Sequence, residues 1–247
     1  AVIDLAFLVA LGGVIAREIV AGKNWRNLKV LAAVAVLFTG NAVFHLEAIA
    51  GYGGGFGMRI GLAATLILIM LIGGRIVPSF TRNSLVAWIV WPDTKATAWL
   101  AITAALLNAW RLSRWAGERT LGEPLLLILH IAFTFVPIGF ALLAVGIMAP
   151  SVVASTGAVH GWTAGAVGLM TLAVMTRASL GHTGQALTAT RSIQAIYAAA
   201  AISALARLVA AFHLWPELML HLAATAWVAT FFGFVAIYGP LLLRRRS

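Results

Sequence analysis

The sequence predicts an all-α fold, a polytopic bundle of transmembrane helices. Three observations lead there. Only 10% of the 247 residues are Asp, Glu, Lys or Arg, and 62% are apolar in the broad sense, whereas soluble domains carry about 25% charged residues. Mean hydropathy is +0.99. Apolar runs of about twenty residues recur along the chain, each long enough to cross a hydrocarbon core of about 30 Å as a helix. The runs do not alternate apolar with polar residues, as the strands of a membrane barrel must. Soluble globular, disordered, collagen-like and coiled-coil classes are thereby excluded. Helices satisfy their own backbone hydrogen bonds, which lipid cannot do for them.

The elements follow in order. The first run is 1–20, and the loop Lys23-Asn24-Trp25-Arg26-Asn27 ends it with an interfacial Trp. That run has no basic leader and carries Asp4, Arg17 and Glu18, so it reads as a span rather than a cleaved signal. The second run, 28–48, holds Asn41, His45 and Glu47 in its last two turns. A glycine-rich turn at 51–57 leads to the third, 58–77. The polar stretch 75–83 follows, and Pro78 is expected to stop the helix. The segment 84–91 is apolar but short. Further runs are 96–110, then 125–148 with His130 and a kink at Pro137, then 160–175, 192–213 and 218–238, with Arg244-Arg245-Arg246 at the close. The reading is one transmembrane domain over 1–247, with about seven full spans and a partial one near 84–91.

Charge tests that count. If 84–91 marks a crossing, Arg17, Lys23, Arg26, Lys29, Arg75, Arg82, Arg111, Arg114, Arg119, Arg177, Arg191 and Arg244–Arg246 share one side, and Arg59, Lys95 and Arg207 take the other. That is fourteen against three. Without the crossing the split is about even. The positive-inside rule favours the first arrangement and makes the cation-rich side, with the C-terminus, cytoplasmic. Eight residues rise only about 12 Å, so either residues are absent between Asn83 and Trp91 or the segment belongs to a longer span. The net charge of +10 reads as orientation and contact with anionic membrane lipid, and no nucleic-acid partner is expected.

Ionisable residues within a membrane are functional candidates. In this topology His45, Glu47, His160, His213, Glu217 and His221 lie near the cation-poor side, His130 lies about two turns in from the other, and His182 lies at that other side. The chain has no Cys, which leaves His, Met, carboxylate and backbone groups to hold any transition metal. Imidazole suits haem iron and copper. His160 and His182 are 22 residues apart, about 33 Å as helix, and cannot share a metal. His182 between Gly181 and Gly184 reads as a helix C-terminal turn. His213 and His221 flank the Trp215-Pro216 turn, where polar groups belong. Gly161, Gly165 and Gly168 form a small-residue stripe suited to close helix packing, with flat access for a haem as the alternative. Arg75, Thr81, Arg82 and Arg177 form a cationic group for lipid phosphates or haem propionates. Asp4, Glu18, Glu47 and Arg207 remain as candidates for proton or ion movement. No phosphate loop, Ser-His-Asp arrangement or HExxH zinc motif is present, and the sequence names no catalytic residue.

Residues 160–184, HGWTAGAVGLMTLAVMTRASLGHTG, resemble the signature of the NnrS family. Other stretches agree in the same order: Asn27-Leu28, Phe44-His45-Leu46, GRIVPSFTRN at 74–83, Arg111-Leu112 with Arg114-Trp115, Glu123-Pro124-Leu125 with Leu129-His130, and Tyr238-Gly239-Pro240. The resemblance covers essentially the whole chain. It implies a bacterial inner-membrane protein of about a dozen helices that contains haem and copper and is linked to nitric oxide stress and denitrification. Three departures stand out. The family's N-terminal helices, with a Trp-His-x-His-Glu-Met type motif, precede anything found here, so the chain reads as the C-terminal part of such a protein. The family has a complete span before the Trp91-Pro92 region. Asn108 stands where members often carry His.

His45, His130 and His160 match the family's motif positions and are the expected cofactor-binding residues, with His45 and His160 as the metal ligands. His45 and His160 lie at the same ends of their helices in the expected topology, and His130 lies deeper. Glu47 points to another face than His45, and Thr163 is expected to orient the His160 ring. The competing readings are a transporter of a small solute or ion, and a non-catalytic membrane assembly module. The sequence shows no clear inverted repeat and few mid-membrane charges for the former.

Overall fold

Each apolar run becomes a helix, and helices account for all the regular structure among the described residues. The computed structural model describes residues 2–53, 55–74 and 79–243. The helices are α1 (Val2–Ala21), α2 (Leu28–Ile49), α3 (Phe56–Gly74), α4 (Ser79–Val90), α5 (Lys95–Ser113), α6 (Pro124–Met148), α7 (Thr156–His182), α8 (Arg191–Ala211) and α9 (Pro216–Leu243). Short 3-10 turns at Trp25–Asn27 and Gly117–Thr120 lead into α2 and toward α6. Five helical segments are long and apolar enough to cross a membrane: Trp25–Ile49, Pro124–Met148, Thr156–His182, Arg191–Ala211 and Pro216–Leu243. Phe56–Met70 is a shorter apolar helix. The five do not include three of the runs expected to span: α1 carries three charges, Asp4, Arg17 and Glu18, α3 is apolar only over the shorter Phe56–Met70, and α5 contains Lys95, Asn108 and Arg111.

The segment 84–91 differs from expectation. Asn83 and Ser84 sit inside the continuous helix α4, which begins at Ser79. The polar residues Thr81 and Ser84 are wholly buried, so they pack inside the fold rather than marking a loop. Twelve residues rise about 18 Å, still short of a full crossing. The stop expected at Pro78 and the terminal Arg244–Arg246 lie outside the described residues.

The chain divides into two compact units, Ala1–Asp93 and Thr94–Ser247. In the first, α1, α2 and α3 are antiparallel in succession. The α2–α3 crossing is set by glycine. A Cβ on Gly40 would lie 2.6 Å from the Gly61 backbone nitrogen, and one on Gly57 would lie 2.2 Å from that of Phe44. The two backbones touch there, and only hydrogen fits between them. Without a hydrophobic force to pull helices together in lipid, such close approach is what holds them.

In the second unit α6 is the central helix, with twelve buried residues along it. Helix α5 packs antiparallel to it, and Trp115, two residues past its end, lies against Phe133. Helix α7 packs antiparallel on another side, through three glycines that each receive something different. Gly161 faces Gly139, Gly165 faces the ring of Phe135, and Gly168 faces Trp227 of α9. The indole of Trp162 is wholly buried and lies against Gly139, where a Cβ would come within 2.2 Å of it. Its N–H donates to the Val136 carbonyl at 3.2 Å, one residue before the helix-interior Pro137. Through this stretch, Gly161–Gly168, α7 widens to a π-helix, a form found mostly as short interruptions of α-helices. Helices α8 and α9 complete the succession. Ser203 donates to the Ala223 carbonyl at 2.8 Å, and Gly233 admits Ile196.

Candidate cofactor-binding residues

His45 projects from the last two turns of α2 toward the start of α1. Its Nε2–H donates to the Asp4 carboxylate at 3.0 Å. A carboxylate only accepts, so the proton sits on Nε2 and the lone pair on Nδ1. This is the arrangement by which proteins orient a metal-binding imidazole and raise its basicity. Phe44 stands at the ring's edge, 5.7 Å between centroids. Asp4 lies in the first turn of α1, where the helix dipole favours an anion.

Glu47, one turn-half further along α2, does other work. Its two oxygens accept the backbone N–H groups of Phe56 and Gly57, each at 2.9 Å. The carboxylate therefore closes the N-terminus of α3, which otherwise leaves its first amides without acceptors. Of the four groups singled out for proton movement, Asp4 is engaged with His45, Glu47 with α3, and Glu18 with Arg17 at 3.5 Å on an exposed surface.

His130 donates from Nδ1 to the Leu126 carbonyl one turn earlier, at 3.1 Å, which leaves its lone pair on Nε2. Trp115 meets the ring edge-on at 5.8 Å. Gly117 leaves room for it, since a Cβ there would lie 3.1 Å from His130 Cδ2. The Arg111 guanidinium lies over Trp115 at 5.5 Å and over Phe133 at 5.8 Å. The sequence reading named Arg111 and Trp115 only as matching residues. Arg111 lies in the last turn of α5 and Trp115 two residues past its end, so the turn after the helix brings them together.

His160 is half-buried just before the π-helical stretch. Its ring makes no hydrogen bond among the described residues, and Arg207 on α8 acts on it electrostatically. Thr163, expected to orient the ring, instead donates its hydroxyl to the Val159 carbonyl at 2.7 Å. Because Gly161 faces Gly139, His160 stands level with a point nine residues beyond His130, about 14 Å along α6. His130 and His160 do not share one ion. His45 belongs to the first unit. Among the described residues no group of three or more His, Asp or Glu side chains is placed to hold a metal.

A model of the NnrS protein family matches residues 1–246. The chain belongs to the NnrS family. No curated protein and no solved structure matches it. Within this NnrS chain Asn108, where the resemblance leads one to expect His, is wholly buried and donates its amide to the Ala104 carbonyl at 2.8 Å. The glycine stripe of the signature packs helices together, because Phe135, Trp227 and Gly139 already occupy its face. A haem has no flat access along that stripe. The end of the signature forms the expected helix stop: Gly184 is left-handed with φ +70°, and the Gln185 N–H donates to the Leu180 carbonyl at 2.9 Å, as a glycine-terminated helix does.

The donor chemistry of these histidines can be compared with what haem iron or copper would need. A haem iron would take a single imidazole whose other nitrogen is held by the protein. His45 and His130 each meet that description, and His160 offers an imidazole with no such restraint. A copper site built from three side chains would need a cluster, and none is present among the described residues.

Proposed function

We propose that this NnrS-family chain is a multi-pass protein of the bacterial inner membrane that binds haem and copper and serves the response to nitric oxide, in nitrosative stress or denitrification. The observation that supports it most directly is the Asp4–His45 pair, an oriented imidazole at a helix end with one nitrogen left to donate. Haem iron, once ligated by imidazole, supplies a coordination position for a diatomic ligand such as nitric oxide. The chain's own part is to hold the ring. Asp4 keeps the proton on Nε2 and increases electron donation from Nδ1. His130, fixed by Leu126 and the Trp115 edge, is the second candidate ligand, and His160 the third. His45 and His160 are the imidazoles assigned to copper, with further donors completing the site. The cation-rich ends of the spans are assigned to the cytoplasm, with the C-terminus.

The test is the absorption spectrum of the detergent-extracted full-length protein with its metal content. A Soret band is expected. His45→Ala should remove most of it, and Asp4→Asn should keep it but shift the reduction potential of the haem. Unchanged haem and copper in His45→Ala, His130→Ala and His160→Ala would place the ligands elsewhere and overturn this assignment.

A further inference from the structure

The end of α7 carries a furrow that none of the functions above uses. It has a volume of about 500 Å³ and is lined by Val174, Arg177, Ala178, Gly181, His182 and Leu187. Val174, Ala178 and Gly181 fall on one face of the helix at spacings of four and three, so the furrow runs along the helix axis. It is open because the residues are small: a Cβ on Gly181 would meet nothing within 4 Å. Leu187, from the loop after α7, borders it, and Val174 and Leu187 remain 56% and 46% exposed.

Charge and depth are arranged along this furrow in a definite order. Thr156–His182 is one of the helices able to span a membrane. Arg177 and His182 lie in its last turns, where a span of that length would meet a membrane surface, and Val174 lies further along the helix interior. No Asp or Glu occurs anywhere from 124 to 216. The acids nearest this end of the unit are Glu118 and Glu123, before α6, and the same end also carries Arg111, Arg114, Arg119 and Arg191. Arg177 forms no ion pair among the described residues. A cation at the surface, an apolar trough beneath it and no carboxylate on the element or its neighbours α8 and the 183–190 loop describe a receptor for an anionic amphiphile.

We propose that this furrow is a binding site for an anionic phospholipid, its phosphate on Arg177 and His182 and an acyl chain along Ala178 and Val174. Arginine's planar fork matches phosphate bidentately. The small residues provide room for a chain that a larger side chain would fill.

The experiment is native mass spectrometry of the detergent-solubilised full chain, titrated with phosphatidylglycerol, phosphatidylcholine or inorganic phosphate. The wild type should retain phosphatidylglycerol in preference to phosphatidylcholine, and inorganic phosphate should not displace it. Arg177→Gln should lower phosphatidylglycerol retention about tenfold, the size of one charge-assisted hydrogen bond. Gly181→Leu keeps every charge and raises helix propensity, yet it fills the furrow and should lower retention as well. If circular dichroism shows that Arg177→Gln does not fold, Gly181→Leu decides alone. Equal retention of the two lipids by the wild type, displacement by phosphate, or full retention by Gly181→Leu would overturn the proposal.

Discussion

The two units of this chain handle polarity in opposite ways. In the first, carboxylates do the local work: Asp4 holds His45, and Glu47 closes the start of α3. In the second, the whole stretch 124–216 lacks a carboxylate, and glycines seated against rings hold α6, α7 and α9 together. An imidazole in the first unit is therefore oriented by a charge, whereas His130 is oriented by a backbone carbonyl and His160 by no hydrogen bond. The difference shows that histidines equal in a sequence motif are unequal as ligands. It also leaves Arg177, which forms no ion pair among the described residues, without a carboxylate on its own helix.

The largest effect that can sharpen this contrast is all-or-none. With the cation-rich ends cytoplasmic, a cysteine introduced at Ser247 should be protected from an impermeant thiol reagent in intact cells, and one at Thr156 should react. The opposite pattern would reverse the orientation of the second unit and with it the side of the lipid site.

Packing comes next. Gly139→Leu drives a side chain into the buried Trp162 indole, which cannot withdraw because it is enclosed by Phe140 and bonded to Val136. Overpacking costs about 1–3 kcal/mol where neighbours can shift, and the upper end or more is expected here. Gly40→Leu should disturb the α2–α3 contact at least as much, since backbone rather than a ring lies behind it. Thermal unfolding of each variant checks both. A Gly139→Leu protein as stable as the wild type would show that the α6–α7 contact is looser than the ring geometry implies.

The smallest effect is electrostatic. Glu47→Ala removes two charge-assisted acceptors from the first amides of α3 and should cost about 1–2 kcal/mol. Glu47→Gln, which keeps one acceptor, should cost less. Hydrogen exchange of the Phe56 and Gly57 amides reads this directly: both should exchange faster in Glu47→Ala. Haem content should stay near wild type, because the contribution of Glu47 is to the helix and not to the His45 ring.

Much of the helix order was legible because lipid-length apolar runs leave a chain few alternatives. The loop at 23–27, the glycine turn before α3, the runs that became α5 to α9 and the glycine stop after His182 all follow from composition and spacing. The start of α4 was not legible, because Ser79, Thr81, Arg82, Asn83 and Ser84 read as a polar connection. Thr81 and Ser84 are nonetheless buried among neighbours, which a one-dimensional hydropathy pattern does not register. The partner of His45 was equally hidden. Asp4 is 41 residues away, and only the antiparallel pairing of α1 with α2 brings the two together.

By itself, the sequence determined that the chain is a set of apolar helices and that its signature belongs to the NnrS family. Those properties depend on runs and motifs, and no folding is needed to read them. The tertiary structure decided which polar residues meet. It assigned Glu47 to α3, Thr163 to its own helix and Asp4 to His45, and it filled the glycine stripe with rings. The reason is physical: a hydrogen bond reaches about 3 Å, so the role of a side chain depends on which helix face arrives opposite it, and that is settled by packing across the fold.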